Sequence, residues 1–118
     1  MTATLEVSEE VGDLKIYKAV APLMEKLSWM ENAAEIAEHL TREGIKAVRN
    51  DPRSCAVARY LQMNTGYTAT VVSDSVAVHS RTGRCALMEN SSVVKDFIKN
   101  FDDGMYPDLE MRDDNIEQ

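Results

Sequence analysis

The residues predict an α+β domain: helices first, then a three-stranded antiparallel meander, then a C-terminal helix packed on the sheet. Three observations carry this. Up to Leu61 the apolar residues recur at helical spacing. From Tyr67 to Met88 the pattern changes to short β-rich runs divided by turn-forming residues. From Asn90 a capped helical pattern returns. With 118 residues, 44% hydrophobic and 28% charged, the chain has the size and composition of one domain with one core.

Each element has its own signal. Ser8-Glu9-Glu10 offers a cap and acids that favour a first helical turn. Ile16, Val20, Leu23, Leu27 and Met30 then form one apolar seam. Pro22 interrupts that seam and predicts a break, with a second helix starting there, because proline lacks the N–H and collides with the carbonyl of the preceding turn. Asn32 and Glu35 make a capping box for a helix through Ala33, Ile36, Ala37 and Leu40, which Gly44 ends and Ile45 covers. His39, near the end of that helix, is expected to sit against the C-terminal dipole.

Asp51-Pro52 reads as the cap and first residue of a helix running through Ala56, Val57, Tyr60 and Leu61 to Thr65-Gly66, with Cys55 in its first turn. Residues 67–72, 76–79 and 85–88 are the strands, joined by Ser73-Asp74-Ser75 and by Arg81-Thr82-Gly83-Arg84. Asn90-Ser91-Ser92 caps a helix that presents Val93, Val94, Phe97, Ile98 and Phe101 on one face, and Gly104 ends it. Tyr106 and Leu109 are placed to pin the following turn to the core. The expected organisation is a helical extension over 1–31, a core domain over 32–109 and a solvated acidic tail over 110–118.

No apolar run approaches the roughly 18 residues that span a bilayer, and Met1 to Glu6 has neither the basic nor the apolar part of a secretion signal, so a cytoplasmic setting and no membrane partner are expected. Cys55 and Cys85 stand apart, which predicts free, buried thiols. With His39 and His79 also far apart, no metal site and no cofactor are expected. The net charge of −7 is unevenly distributed. Residues 1–41 carry three bases against eight acids, residues 42–84 seven against three, and residues 85–118 three against nine. A basic middle between acidic ends permits an anionic partner at the middle, or masking of the middle by the ends.

The segment Cys55-Ala56-Val57-Ala58-Arg59-Tyr60-Leu61, the Ala33 to Leu40 helix and the stretch Phe97 to Leu109, with its Phe-Asp-x-Gly-x-Tyr-Pro-x-Leu pattern, resemble a group of small uncharacterised proteins of actinobacteria, their phages and integrated mobile elements. The resemblance covers about residues 33–109. Proline is common in that group where this chain has Ala56, which implies that no special backbone is needed there. The group's setting implies a regulatory or host-directed role by association.

Three functional readings follow. The leading one is a non-catalytic protein-interaction or regulatory protein, whose seam of Ile16, Val20, Leu23, Leu27 and Met30 docks a protein partner or closes a homodimer. The second is a winged-helix nucleic-acid binder, with Arg53 and Arg59 on a recognition helix and Arg81 and Arg84 on a hairpin wing. The long connection from Gly44 to Asp51 and the apolar content of that helix weigh against it. The third is a thiol enzyme, with Cys55 on a helix, His79 on a strand and Glu89 or Asn90 orienting it. It lacks an oxyanion segment, and strand alternation turns His79 away from the core if Val76 and Val78 face inward.

Overall fold

The computed structural model describes residues 13–111. Its elements are α1 (Leu14–Ser28), α2 (Ala33–Arg42), α3 (Ala56–Thr65), β1 (Thr68–Val71), β2 (Ser75–His79), β3 (Cys85–Glu89), α4 (Ser92–Asp102) and a 3-10 turn (Pro107–Leu109). The strands form an antiparallel meander in the order β1-β2-β3, with Val71 opposite Val76 and His79 opposite Cys85. The α+β class is therefore as expected.

Alternation sets the two faces of the sheet. Ala69, Val71, Val76, Val78 and Ala86 point inward and are buried, whereas Thr68, Cys85 and Leu87 lie on the exposed face. Helix α3 runs along β1, α1 along β3, and α4 lies against α2 and α1. Phe97, Ile98 and Phe101 of α4 join the sheet's inner face in one apolar cluster.

Helix α1 is continuous through Pro22, which corrects the expected break. Ile16, Val20, Met24 and Leu27 are all buried along its inner side, while Pro22 and Lys18 are exposed. The Lys18 carbonyl that loses its helical donor thus lies on the wet side, and the buried face holds the helix together across the proline. The cap proposed at Ser8 lies outside the described residues. The described helix begins at Asp13, whose Oδ1 accepts from the Ile16 N–H at 3.0 Å.

The seam expected on α1 lies mostly against the chain's own core. Ile16, Val20 and Leu27 are at most 2% exposed, within the same cluster as the strands and α4, and Leu23 and Met30 are partly buried against it. Met24 takes the inward position, so the stripe follows α1's own packing. The buried residues of α1 share one apolar cluster with those of residues 33–109.

Helix α2 starts as expected, with Asn32 Oδ1 accepting from the Glu35 N–H at 3.0 Å, but Glu35 reaches back to the Glu31 N–H at 3.0 Å instead of closing the box on Asn32. Gly44 at φ 80 ends it, and the Ile45 N–H returns to the Leu40 carbonyl at 3.1 Å. Helix α3 starts later than expected, at Ala56 with Cys55 as its cap residue. Asp51 instead caps a turn, its Oδ1 accepting from the Arg53 N–H at 3.0 Å, and the Pro52 carbonyl accepts from the Val71 N–H of β1 at 2.8 Å. That bond to the sheet draws residues 51–54 out of the helix.

Ser91 caps α4, while the buried Asn90 serves the sheet: its Nδ2 donates to the carbonyls of Val72 and Ser73 at 3.0 and 3.1 Å, clamping the β1–β2 turn. Leu109 is fully buried, and the chain beyond it stays attached. Ala47 and Met111 donate to the carbonyls of Leu109 and Ala47, each at 2.8 Å, and Arg49 pairs with Glu110 at 3.2 Å. Glu110 and Met111 therefore belong to the fold rather than to the tail.

Candidate functional site

The segment after Gly44 is extended, and its side chains alternate. Ile45 and Ala47 are buried, and Lys46 and Val48 face out. The Ala47–Glu110 bridge holds this segment beside the chain's last described residues. Helix α3 lies on the other side. Ala56, Val57, Ala58, Tyr60 and Leu61 are buried, which leaves Arg59, Gln62 and Met63, at i, i+3 and i+4, as the stripe turned away from the core.

Between these walls lies a recess of about 410 Å³, with Ile45 in its floor, Lys46 and Arg59 at its sides, and Met63 and Met111 at its rim. Met63 is 58% exposed and Met111 42%. Among the described residues neither Lys46 nor Arg59 is paired with a carboxylate. The Lys46 Nζ donates to the Asp108 carbonyl at 2.6 Å, and the Arg59 Nε is buried with no hydrogen-bond partner. Two cations thus stand beside two exposed methionines, over an Ile45 side chain that is itself almost wholly buried.

The four arginines expected to act together fall into two groups. Arg53 adjoins the recess, since its carbonyl accepts from Gln62 Nε2 at 3.0 Å. Arg81 and Arg84 lie on the β2–β3 turn, at the far end of the sheet from Pro52 and the β1–β2 turn. Strand β2, five residues at roughly 3.3 Å each, separates the two groups. Arg84 is also engaged, paired through its Nε with Asp13. The Ile16 N–H holds the Asp13 carboxyl below its usual range against the opposing effect of burial, and Arg84 adds to the lowering. Helix α3 packs one face on the core and leaves Arg59, Gln62 and Met63 on the other, while Arg81 and Arg84 stand at the opposite end of the sheet.

The thiol constellation does not assemble either. Cys55 is buried, and burial pushes its thiol up to about 11, away from a reactive thiolate. His79 stands opposite Cys85 on the outward side of the sheet, at the end of β2 away from Asn90. Cys85 is exposed, contrary to the expectation of two buried thiols, because its strand position faces outward. His39 lies in the last turn of α2, as its place in the sequence predicts. Its ring meets Tyr60 edge-on at 5.9 Å, and burial, aided by Lys26 and Arg42 and opposed by Glu43, lowers its pKa.

Among the described residues no group of His, Cys, Asp and Glu side chains could hold a metal ion, and no helix is long and apolar enough to cross a membrane. Sequence reasoning singled out Arg59 by its charge but passed over Lys46, Met63 and Met111. The signal for Lys46 was the alternation Ile45-Lys46-Ala47-Val48, one exposed cation between two apolar residues. Comparison with protein-family models, with curated proteins and with solved structures finds no match.

Proposed function

We propose that this chain is a non-catalytic protein-interaction protein of regulatory kind, and that the recess between α3 and residues 44–47 receives an acidic segment of its protein partner. The observation that carries the reading is the pair Lys46 and Arg59, unmatched by carboxylates among the described residues, set beside the apolar Ile45, Met63 and Met111. A protein segment is favoured over nucleic acid because the recess presents exposed methionine side chains, Met63 and Met111, from which phosphates gain nothing. A cytoplasmic setting and an origin in a phage or mobile element are part of the same reading, the former supported by two free thiols and the latter by the resemblance described above.

Magnitudes indicate the kind of complex. An exposed ion pair contributes roughly 0.2–1 kcal/mol and one buried apolar anchor roughly 1.5–3 kcal/mol. The recess alone therefore gives weak binding, and a partner must add contacts outside it.

A photo-crosslinking residue at position 63 in host cells tests this. The expected result is a nuclease-resistant protein adduct that is lost with Arg59→Glu or Lys46→Glu. Adducts indifferent to both charges would overturn the proposal, and adducts abolished by nuclease would show that the recess serves nucleic acid.

A further inference from the structure

We infer that the acidic segment received by the recess is residues 29–38 of a second copy of this chain, led by Trp29, so that copies associate head to tail. The inference rests on the reading of the recess as a docking site and names the partner.

The surface around Trp29 is the first argument. Trp29 follows α1 as its cap residue and is 84% exposed, more than any other large apolar side chain among the described residues. Its backbone is nonetheless held. The Trp29 N–H donates to the Glu25 carbonyl at 3.0 Å, the Met30 N–H donates to the Leu27 carbonyl at 3.2 Å, and Met30 packs on the core. The indole is therefore presented from a fixed position. Glu25 lies one turn before it, and Glu31, Glu35 and Glu38 follow at helical spacing. None of these four carboxylates is in an ion pair among the described residues, and Lys26 is the one cation within residues 25–38.

Complementarity is the second. The recess offers Lys46 and Arg59 without carboxylate partners, beside the exposed Met63 and Met111. Each of its properties has a counterpart on residues 29–38. Carboxylates meet cations, the indole meets the two thioethers, and a guanidinium stacks readily on an indole face. Tryptophan is also among the residues that most often anchor a protein interface.

The third argument is position. Trp29 adjoins the start of α2 and Gly44 its end, so a helix of 10 residues, roughly 15 Å long, stands between them in one copy. A neighbouring copy brings them together. Because the two surfaces differ, a copy that inserts Trp29 into its neighbour leaves its own recess open for a third. Assembly should therefore grow with concentration instead of stopping at two.

The test uses the full chain, sedimented up to millimolar concentration at about 0.15 M ionic strength, where charges further apart than about 8 Å are screened. The sedimentation coefficient is expected to rise with concentration. Trp29→Ala and Lys46→Glu, both at exposed positions, are each expected to weaken association at least about tenfold, with circular dichroism checking that each variant is folded. Mixed together, the two variants should form a complex that stops at two chains, because one still offers its recess and the other its indole. Trp29 is the only tryptophan of the chain, so the emission of the Lys46→Glu protein should move to the blue when the Trp29→Ala protein is added. A coefficient independent of concentration, with no change in emission, would overturn the second copy as the partner. The recess reading then stands if crosslinks from position 63 reach another protein and are lost with Arg59→Glu, and falls as well if those crosslinks ignore the charge. Association that neither variant weakens, or that mixing does not restore, would place the contact elsewhere and overturn the inference too.

Discussion

The ring of Tyr106 lies flat on that of Phe97, with centroids 5.4 Å apart and planes 13° from parallel. Phe97 in turn stacks on Phe101 at 6.2 Å, and Asn100 Nδ2 donates to the Tyr106 hydroxyl at 3.3 Å. The turn after α4 is thus fastened to the core through one aromatic side chain. Phe97→Ala removes the middle of that stack and leaves a cavity, and should cost about 3–5 kcal/mol in denaturant melts. A change below about 0.5 kcal/mol, the size of a surface substitution, would show that α4 is not docked as described.

The lowered pKa of His39 makes stability pH-dependent in a definite direction. Because the folded chain binds this proton less readily than the unfolded chain, whose ordinary value is 6.5, the contribution is fully present above 6.5 and is lost as the pH falls below it. The denaturant midpoint should be lower at pH 5 than at pH 7.5, and His39→Gln should shrink the difference. An unchanged difference in that variant would assign the effect elsewhere.

The two thiols should behave unequally. Cys85 is exposed, whereas Cys55 is buried with its thiol raised to about 11. A thiol reagent at neutral pH should label Cys85 in the folded protein and reach Cys55 only in denaturant. Rapid labelling of Cys55 in the native state would show that the start of α3 opens far more readily than its packing implies.

Leu27 and Leu23 separate the core from the surface of α1. Leu27 is fully buried and Leu23 only partly. Leu27→Ala should cost about 2–5 kcal/mol. Leu23→Ala should stay near the average of about 1 kcal/mol for a point substitution. Equal costs, accompanied by a concentration-dependent sedimentation coefficient, would restore the seam as an interface.

Local chemistry was the legible part of this fold. The Asn32 cap, the Gly44 and Gly66 ends, the Ser91 cap and the alternation of Val76 and Val78 each depend on a few adjacent residues, and the sequence displays them directly. Pro22 and Asp51-Pro52 were misread because their outcome depends on distant partners: the buried side of α1 carries the helix through one, and a bond from Val71 draws the other into a turn. The recess was half legible for the same reason. Arg59 declares itself by charge, but its neighbours Lys46 and Met111 meet only through the pairing of Ala47 with Glu110.

That pairing also bears on how the protein is made. Residues 45–48 have no backbone partner for the Ala47 N–H and carbonyl until Leu109 and Met111 arrive, so nearly the whole described chain must emerge from the ribosome before this part can close. At roughly 5–20 residues per second, α1 and α2 wait several seconds after their own synthesis for the segments that bury them. Until then their apolar faces are open to chaperones and to neighbouring nascent chains. Substitutions that weaken the Ala47–Glu110 contact should therefore lower the yield of folded protein in cells more than they lower the stability of the molecules that succeed in folding.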